Sequence, residues 1–340
     1  MPVMALHQER TMTDRGTTMN AIASAQYGLD GLEFRKLDKP EIEDDQVLVR
    51  VHASSVNPAE WYRVTGPYFA RLLGGGIRRP KNAAVGGDLA GTVEIVGKDV
   101  EELQPGDEVF GTTLGAWAEY APAREVRLVR KPANVSFEEA AAVPVAATTA
   151  LQALRDQGRV QPGQKVLING ASGGVGTYAV QLAKVFGAEV TAVCSTGNVE
   201  TARALGADHV VDYTQEDFTQ RSDRYDLMLD IAGSRPFREF RRVLTPKATV
   251  VIVGAKFPSN RGLGPLTHIF GTRLVAVGRS QTVKFVMAKI NKEDLLVLQE
   301  LLEAGKMRSV IDRRYELSQT LDAMRYLGEG HARGKVVITV

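Results

Sequence analysis

The 340-residue chain contains one cysteine, Cys194. An intrachain disulfide is thereby excluded, so the fold must be held by its core, and the sequence suits a reducing compartment, with the cytoplasm as the expected location. Long apolar runs are also missing. No segment has the ~20 uninterrupted apolar residues that a membrane-crossing helix needs, and the opening MPVMALHQERTMTDRG lacks the apolar stretch of a secretory signal. Charge of a single sign is absent too. The 42 basic and 40 acidic side chains are mixed along the chain and leave a net charge of +2, which creates no field for a polyanion. The densest basic stretch, Arg71 to Lys81, has no aromatic-and-basic stripe beside it, and no nucleic-acid partner is expected. The histidines, at 7, 52, 209, 268 and 331, form no local ligand set.

What is present fits an ordinary globular protein, with 44% hydrophobic and 24% charged residues. The length exceeds what one core usually organises and points to two domains. Residues 1–18 stand outside the strand-like pattern and read as an N-terminal extension or tail. From Asn20 to about Val143, short strands are broken by glycine and proline, as in QVLVRVHASSV, DLAGTVEIVG and PGDEVFG; this predicts a compact, mostly β unit. The pattern changes near Pro144. KVLIN, EVTAVC, HVVDY, YDLMLDIAG and ATVVIVG then alternate with helical stretches, as in a parallel sheet covered by helices. RLVAVG supplies further strand material, followed by a helix in NKEDLLVLQELLEAGK, a strand in VIDRRYEL, a helix around SQTLDAMRYLGE and a final strand, KVVITV.

The most informative local signal is GASGGVG at 170–176, set between a strand and a helix whose Val175, Tyr178, Ala179, Leu182 and Phe186 share one face. Glycines at 173 and 176 remove side chains where a chain must turn tightly and approach a pyrophosphate, and the helix start offers unpaired N–H groups to that anion. Ala171 stands at the first glycine position of the usual fingerprint. Ala171, Ser172, Gly173, Gly174, Val175 and Gly176 are therefore the expected dinucleotide cradle.

Roughly 20 residues further on, NAD-specific sites place a carboxylate on the adenosine ribose. This chain has Cys-Ser-Thr-Gly-Asn there, so the charge that would repel a 2′-phosphate is missing. Ser195, Thr196 and Asn198 can donate to such a phosphate, with Arg203 as a candidate cation. NADPH is thus expected over NADH.

Taken together, SSVNPAEW, VGGDLAGTVEIVG, PGDEVFG, AAAVPVAATTALQAL, GASGGVG, LGADHVVDY and HARGKVVITV closely resemble the medium-chain dehydrogenase/reductase superfamily, in particular its zinc-free quinone oxidoreductase branch, over about residues 19–340. The resemblance implies an α/β protein: a GroES-like, mostly β catalytic domain at 19–145, a Rossmann domain with a doubly wound parallel sheet at 146–285, and a C-terminal return to the catalytic domain at 286–340. It implies a cofactor in the cleft between them, and a homodimer joined through Rossmann-sheet edges near RLVAVG.

Zinc-dependent members place a cysteine ligand in the segment matching SSVNPAE and a histidine where Gly87 stands, and they carry a four-cysteine lobe. None of these is present, so no metal is expected.

The resemblance also assigns a cofactor-facing polar role to Asn57, against the plainer reading of an asparagine that closes an Asn-Pro turn. It offers Thr148 as a nicotinamide contact, with a helix cap as the alternative. Tyr213 falls near the adenosine phosphate, and Asn198 where some quinone reductases carry a phosphate-binding lysine. Arg333 and Lys335 are offered as distal phosphate or cleft contacts, against a surface turn. Tyr62, and to a lesser extent Tyr68, can polarise a substrate carbonyl or simply pack. Cys194 reads as a structural thiol.

Without a metal to stabilise an alkoxide, an already activated acceptor is the better chemical match. The expected activity is hydride transfer from NADPH to a quinone, enone or related reactive carbonyl, a small-molecule substrate. The alternatives are a metal-free alcohol dehydrogenase or aldehyde reductase, and a non-catalytic NADPH-responsive binding module.

Overall fold

A computed structural model describes residues 18–67, 71, 76, 78–255, 257, 272 and 280–340. Two β-sheets organise these residues, with a small two-stranded hairpin, β1 (Thr18–Ser24) and β2 (Leu32–Asp38), beside them. The first sheet is built from β3 (Gln46–Val56), β4 (Asp88–Val96), β5 (Glu108–Thr112), β6 (Tyr120–Arg124) and β7 (Leu128–Arg130), which pair antiparallel. Alternation in β3 buries Val47, Val49 and Val51 on one side, which sets its register against β4 and β6.

The second sheet follows in sequence: β8 (Lys165–Asn169), β9 (Glu189–Cys194), β10 (His209–Asp212), β11 (Tyr225–Asp230), β12 (Leu244–Ile252) and β13 (Thr282–Phe285). All its pairs are parallel, in the order β10-β9-β8-β11-β12-β13. The order reverses between β8 and β11, the switch point outside whose carboxyl ends open α/β sheets bind ligands. Strands buried on both faces read as continuous apolar runs, as VLI and LML do here.

The chain then returns. β14 (Ile311–Glu316) and β15 (Lys335–Thr339) join the first sheet, with β15 between β14 and β3. The helix Pro144–Gln152, rich in alanine and threonine and almost wholly buried, bridges the two sheets, and one apolar cluster runs from Ala53, Ala90 and Phe110 through it to Val166 and Ile168. The strand expected at RLVAVG, 273–278, and residues 1–17 of the expected N-terminal extension lie outside the described residues, as does Tyr68, while Thr18, expected in that extension, opens β1.

Candidate functional site

β8 ends at Asn169 and the chain turns through Gly170, whose φ of +92° is a left-handed conformation that favours glycine. The tight turn thus falls on Gly170 and not, as the fingerprint alone implies, on Gly173. A Cβ on Gly176 would come within 2.1 Å of the Gly170 carbonyl oxygen, so the helix Gly174–Val185 can sit against the turn only with glycine there. At Gly173 a Cβ would meet nothing closer than 3.8 Å; that position borders open space. No side chain caps this helix. Its first N–H groups and dipole face the cleft, which suits a pyrophosphate.

The cleft encloses about 610 Å³ between the two sheets. Ser172, Gly173, Gly174 and Val175 line it together with Asn57, Lys335 and Val336, and the Lys335 side chain passes against Gly174. Phe257, Leu327 and Val56 add apolar surface, and Tyr213 lies at the far end. Ala171 is buried under the turn. Thr148 is also buried, in mid-helix, so it is no helix cap; its Oγ1 has no hydrogen-bond partner. A buried hydroxyl without a partner is costly unless a ligand supplies one. The fit to a dinucleotide rests on the glycine cradle, with Gly170 in the turn, open space at Gly173 and the uncapped helix start on the cleft; Thr148 is not part of the cleft lining.

Asn57 is the N-cap of the helix Pro58–Thr65, with Pro58 at the first helical position. Its side chain meets a buried polar cluster. Lys335 Nζ donates to Asn57 Oδ1 at 2.5 Å and lies 3.4 Å from Asp88 Oδ2, while Asn57 Nδ2 donates to that same oxygen at 3.0 Å. Asp88 also accepts from Ser55 Oγ at 2.6 Å and from the Val145 N–H at 3.0 Å. Glu60 accepts from the Asn57 N–H at 2.8 Å, and burial, reinforced by the Asp88 charge and opposed by Lys335, pushes its carboxyl up to about 7. Lys335 is only 3% exposed, which overturns the surface-turn reading of that residue.

Tyr62 packs edge-on against Phe257, ring centroids 5.8 Å apart, and does not line the cleft. The structure therefore separates the two residues that sequence reasoning paired as substrate contacts. Asp88 and Glu60 were missed altogether. The signal available was an aspartate opening an apolar strand after Gly-Gly and a glutamate at the third position of a helix, both of which also read as ordinary caps.

At the adenosine end, Ser195, Thr196 and Asn198 cluster after β9. Thr196 Oγ1 donates to Asp212 at 2.5 Å, which holds that carboxyl below the usual carboxylate range, and Asn198 Nδ2 donates to Ser195 Oγ at 2.9 Å. A carboxylate thus stands near the selector after all, contributed by β10. Arg203 is engaged by Glu200 at 2.6 Å. The cation beside the selector is Arg333, whose guanidinium lies 3.4 Å from where a Cβ on Gly197 would be. The Cys194 thiol, raised to about 11 chiefly by burial, stays protonated at neutral pH, as a structural thiol should.

A side chain at position 87 would find its space taken, since a Cβ on Gly87 would lie 2.6 Å from Glu60 Oε1. Among the described residues no group of three or more His, Cys, Asp or Glu side chains could hold a metal ion. The residues do not fit a zinc site.

Two family models match: the alcohol dehydrogenase GroES-like domain over residues 43–133, and zinc-binding dehydrogenase over 205–338. The second description names a metal for which this chain lacks the ligands. The chain is 35% identical to a 2-methylene-furan-3-one reductase of Solanum lycopersicum, covering 94% of this chain and 79% of that one. It is 33% identical to a chloroplastic NADPH-dependent alkenal/one oxidoreductase of Arabidopsis thaliana, with the same coverage. A solved quinone oxidoreductase from Coxiella burnetii superposes with a TM-score of 0.82 at 31% identity, over 95% of this chain and 100% of that one. With the dinucleotide cradle, the two-sheet architecture and the missing zinc ligands in agreement, the chain belongs to the zinc-independent, quinone-oxidoreductase-like branch of the medium-chain dehydrogenase/reductase superfamily.

Proposed function

We propose that this NAD(P)H-dependent oxidoreductase reduces the conjugated double bond of an enone, enal or quinone, with NADPH as its preferred cofactor. The observation that carries the reading is a donor side chain, the Asn57 amide, lining the same cleft as the glycine cradle, with no group of metal ligands among the described residues. A bound reduced nicotinamide supplies the hydride. Ser172 to Val175, which line the cleft, would hold its pyrophosphate, with Gly176 packed beneath the turn; the unpartnered Thr148 hydroxyl is the proposed contact for its ring end. Asn57 Nδ2–H donates to the acceptor oxygen, where conjugation delivers the negative charge, and Phe257, Leu327 and Val56 keep water away. Arg333 supports the NADPH preference by offering a guanidinium to a 2′-phosphate.

The names of the relatives, which act on alkenals, alkenones, a methylene-furanone and quinones, support the same acceptor class. The test is product analysis after incubation with NADPH and an α,β-unsaturated ketone: the saturated ketone is expected, and an allylic alcohol with the alkene intact refutes the reading. The outer edge of β13, which has only β12 as a neighbour among the described residues and leads to exposed Met287, is the surface for pairing with a second copy. Light scattering giving a monomer mass at micromolar concentration refutes that pairing.

A further inference from the structure

The buried charges around Asn57 dictate which way its amide faces. Oδ1 meets the Lys335 ammonium, a group that can only donate, and Nδ2 meets the Asp88 carboxylate, a group that can only accept. Turning the amide over would set its NH2 against the ammonium and its carbonyl against the carboxylate. Both contacts would become repulsive in a place where Asp88 is fully buried and Lys335 nearly so. Asp88 cannot swing away to relieve them, because Ser55, Val145 N–H and Lys335 hold it from three other elements.

We infer that Lys335, backed by Asp88, is a positioning residue that locks the Asn57 amide as a hydrogen-bond donor toward the cleft. One Nδ2 hydrogen goes to Asp88 and the other is left for a ligand, while the amide carbonyl is turned to Lys335. The amide therefore presents the reacting oxygen with a donor. It stabilises an oxygen that gains negative charge, as the conjugated oxygen does on hydride addition, but supplies no lone pair to take a proton from an alcohol. The lock rests on the functional reading only for the meaning of its kinetic effect; its geometry stands without it. It also gives Lys335 a role other than the distal phosphate contact that its place in HARGK suggests.

The full chain, labelled selectively with 15N-asparagine and free of cofactor, provides the test. The Asp88-bonded hydrogen of the Asn57 side-chain NH2, identified by its loss in Asn57→Ala, is expected to exchange with solvent at least about tenfold more slowly than those of exposed asparagines. Lys335→Met removes that protection and Lys335→Arg retains it. Unprotected exchange in the unsubstituted chain overturns the lock whether or not any variant folds, and so does unchanged protection in folded Lys335→Met. In kinetics, Lys335→Met lowers kcat roughly 100-fold while the Kd for NADPH stays within about threefold, and Asn57→Ala adds nothing in that background. A loss carried wholly by the NADPH Kd makes Lys335 a phosphate contact and overturns the lock. Failure of the unsubstituted chain to reduce an enone strikes the functional reading alone, since amide exchange needs no turnover.

Discussion

Replacing Glu60 with glutamine should stabilise the protein at alkaline pH and leave it nearly unchanged in acid. Glu60 is 7% exposed, and its carboxyl is raised from an ordinary 4.5 to about 7, first by burial and then by the Asp88 charge. Between those pH values the folded chain keeps a proton that the unfolded chain has released. Stability therefore falls as pH rises through this interval, by about 1.4 kcal/mol per pH unit, and levels off above the folded value. The whole penalty is about 3 kcal/mol. Glutamine cannot ionise, its carbonyl can still accept the Asn57 N–H that Glu60 Oε2 now holds, and it suits the third helical position equally well. With roughly 2 cal/mol/K of unfolding entropy per residue over 340 residues, the variant should melt about 4 °C higher at pH 8.5. At pH 5 the two curves should nearly coincide. Scanning calorimetry across this range checks the difference, and a gap that stays constant from pH 5 to 8.5 would falsify the assignment of a neutral-pH titration to Glu60.

Other substitutions probe the remaining parts of the cleft. Gly176→Ala puts a methyl 2.1 Å from the Gly170 carbonyl; NADPH binding followed by fluorescence should weaken by at least about tenfold, and unchanged affinity in a folded variant refutes the packing argument. Thr148→Val replaces a buried hydroxyl that lacks a partner, so the cofactor-free protein should gain about 1 kcal/mol in urea unfolding while NADPH binds more weakly; a destabilised variant points to a partner within the protein. Arg333→Ala should cost roughly tenfold in NADPH affinity, about what one charge-assisted hydrogen bond contributes, and leave NADH unaffected. Equal losses for both cofactors remove Arg333 from 2′-phosphate recognition.

The sequence discloses the parallel sheet and its glycine turn because both depend on local backbone demands: apolar runs, glycine where a Cβ cannot fit, and a helix directly after. β8 to β12 fall where VLI, VTAV, HVVD, LML and TVVI place them. The polar cluster was hidden because its members meet only in three dimensions. Asn57 and Asp88 are 31 residues apart and Asp88 and Lys335 are 247 apart, and nothing near Lys335 in HARGKVV distinguishes a buried ammonium from an exposed one. The adenosine end is only partly legible for a related reason. Absence of a carboxylate after β9 was legible, but Asp212 arrives from the neighbouring parallel strand, in register with Cys194.

The position of β15 makes assembly wait. It lies inside the first sheet, hydrogen-bonded on both sides, yet roughly 180 residues of chain separate β7 from β14. At ordinary ribosomal rates that interval lasts about 10–40 s, during which β3 presents an unfilled edge where β15 will dock. The nucleotide-binding sheet can complete itself in that time, as an insertion maturing before its host. Because β15 also delivers Lys335, a nascent chain that has already built its phosphate turn still lacks the ammonium beside Asn57. Competence to react therefore arrives in one step, with the closing of the sheet.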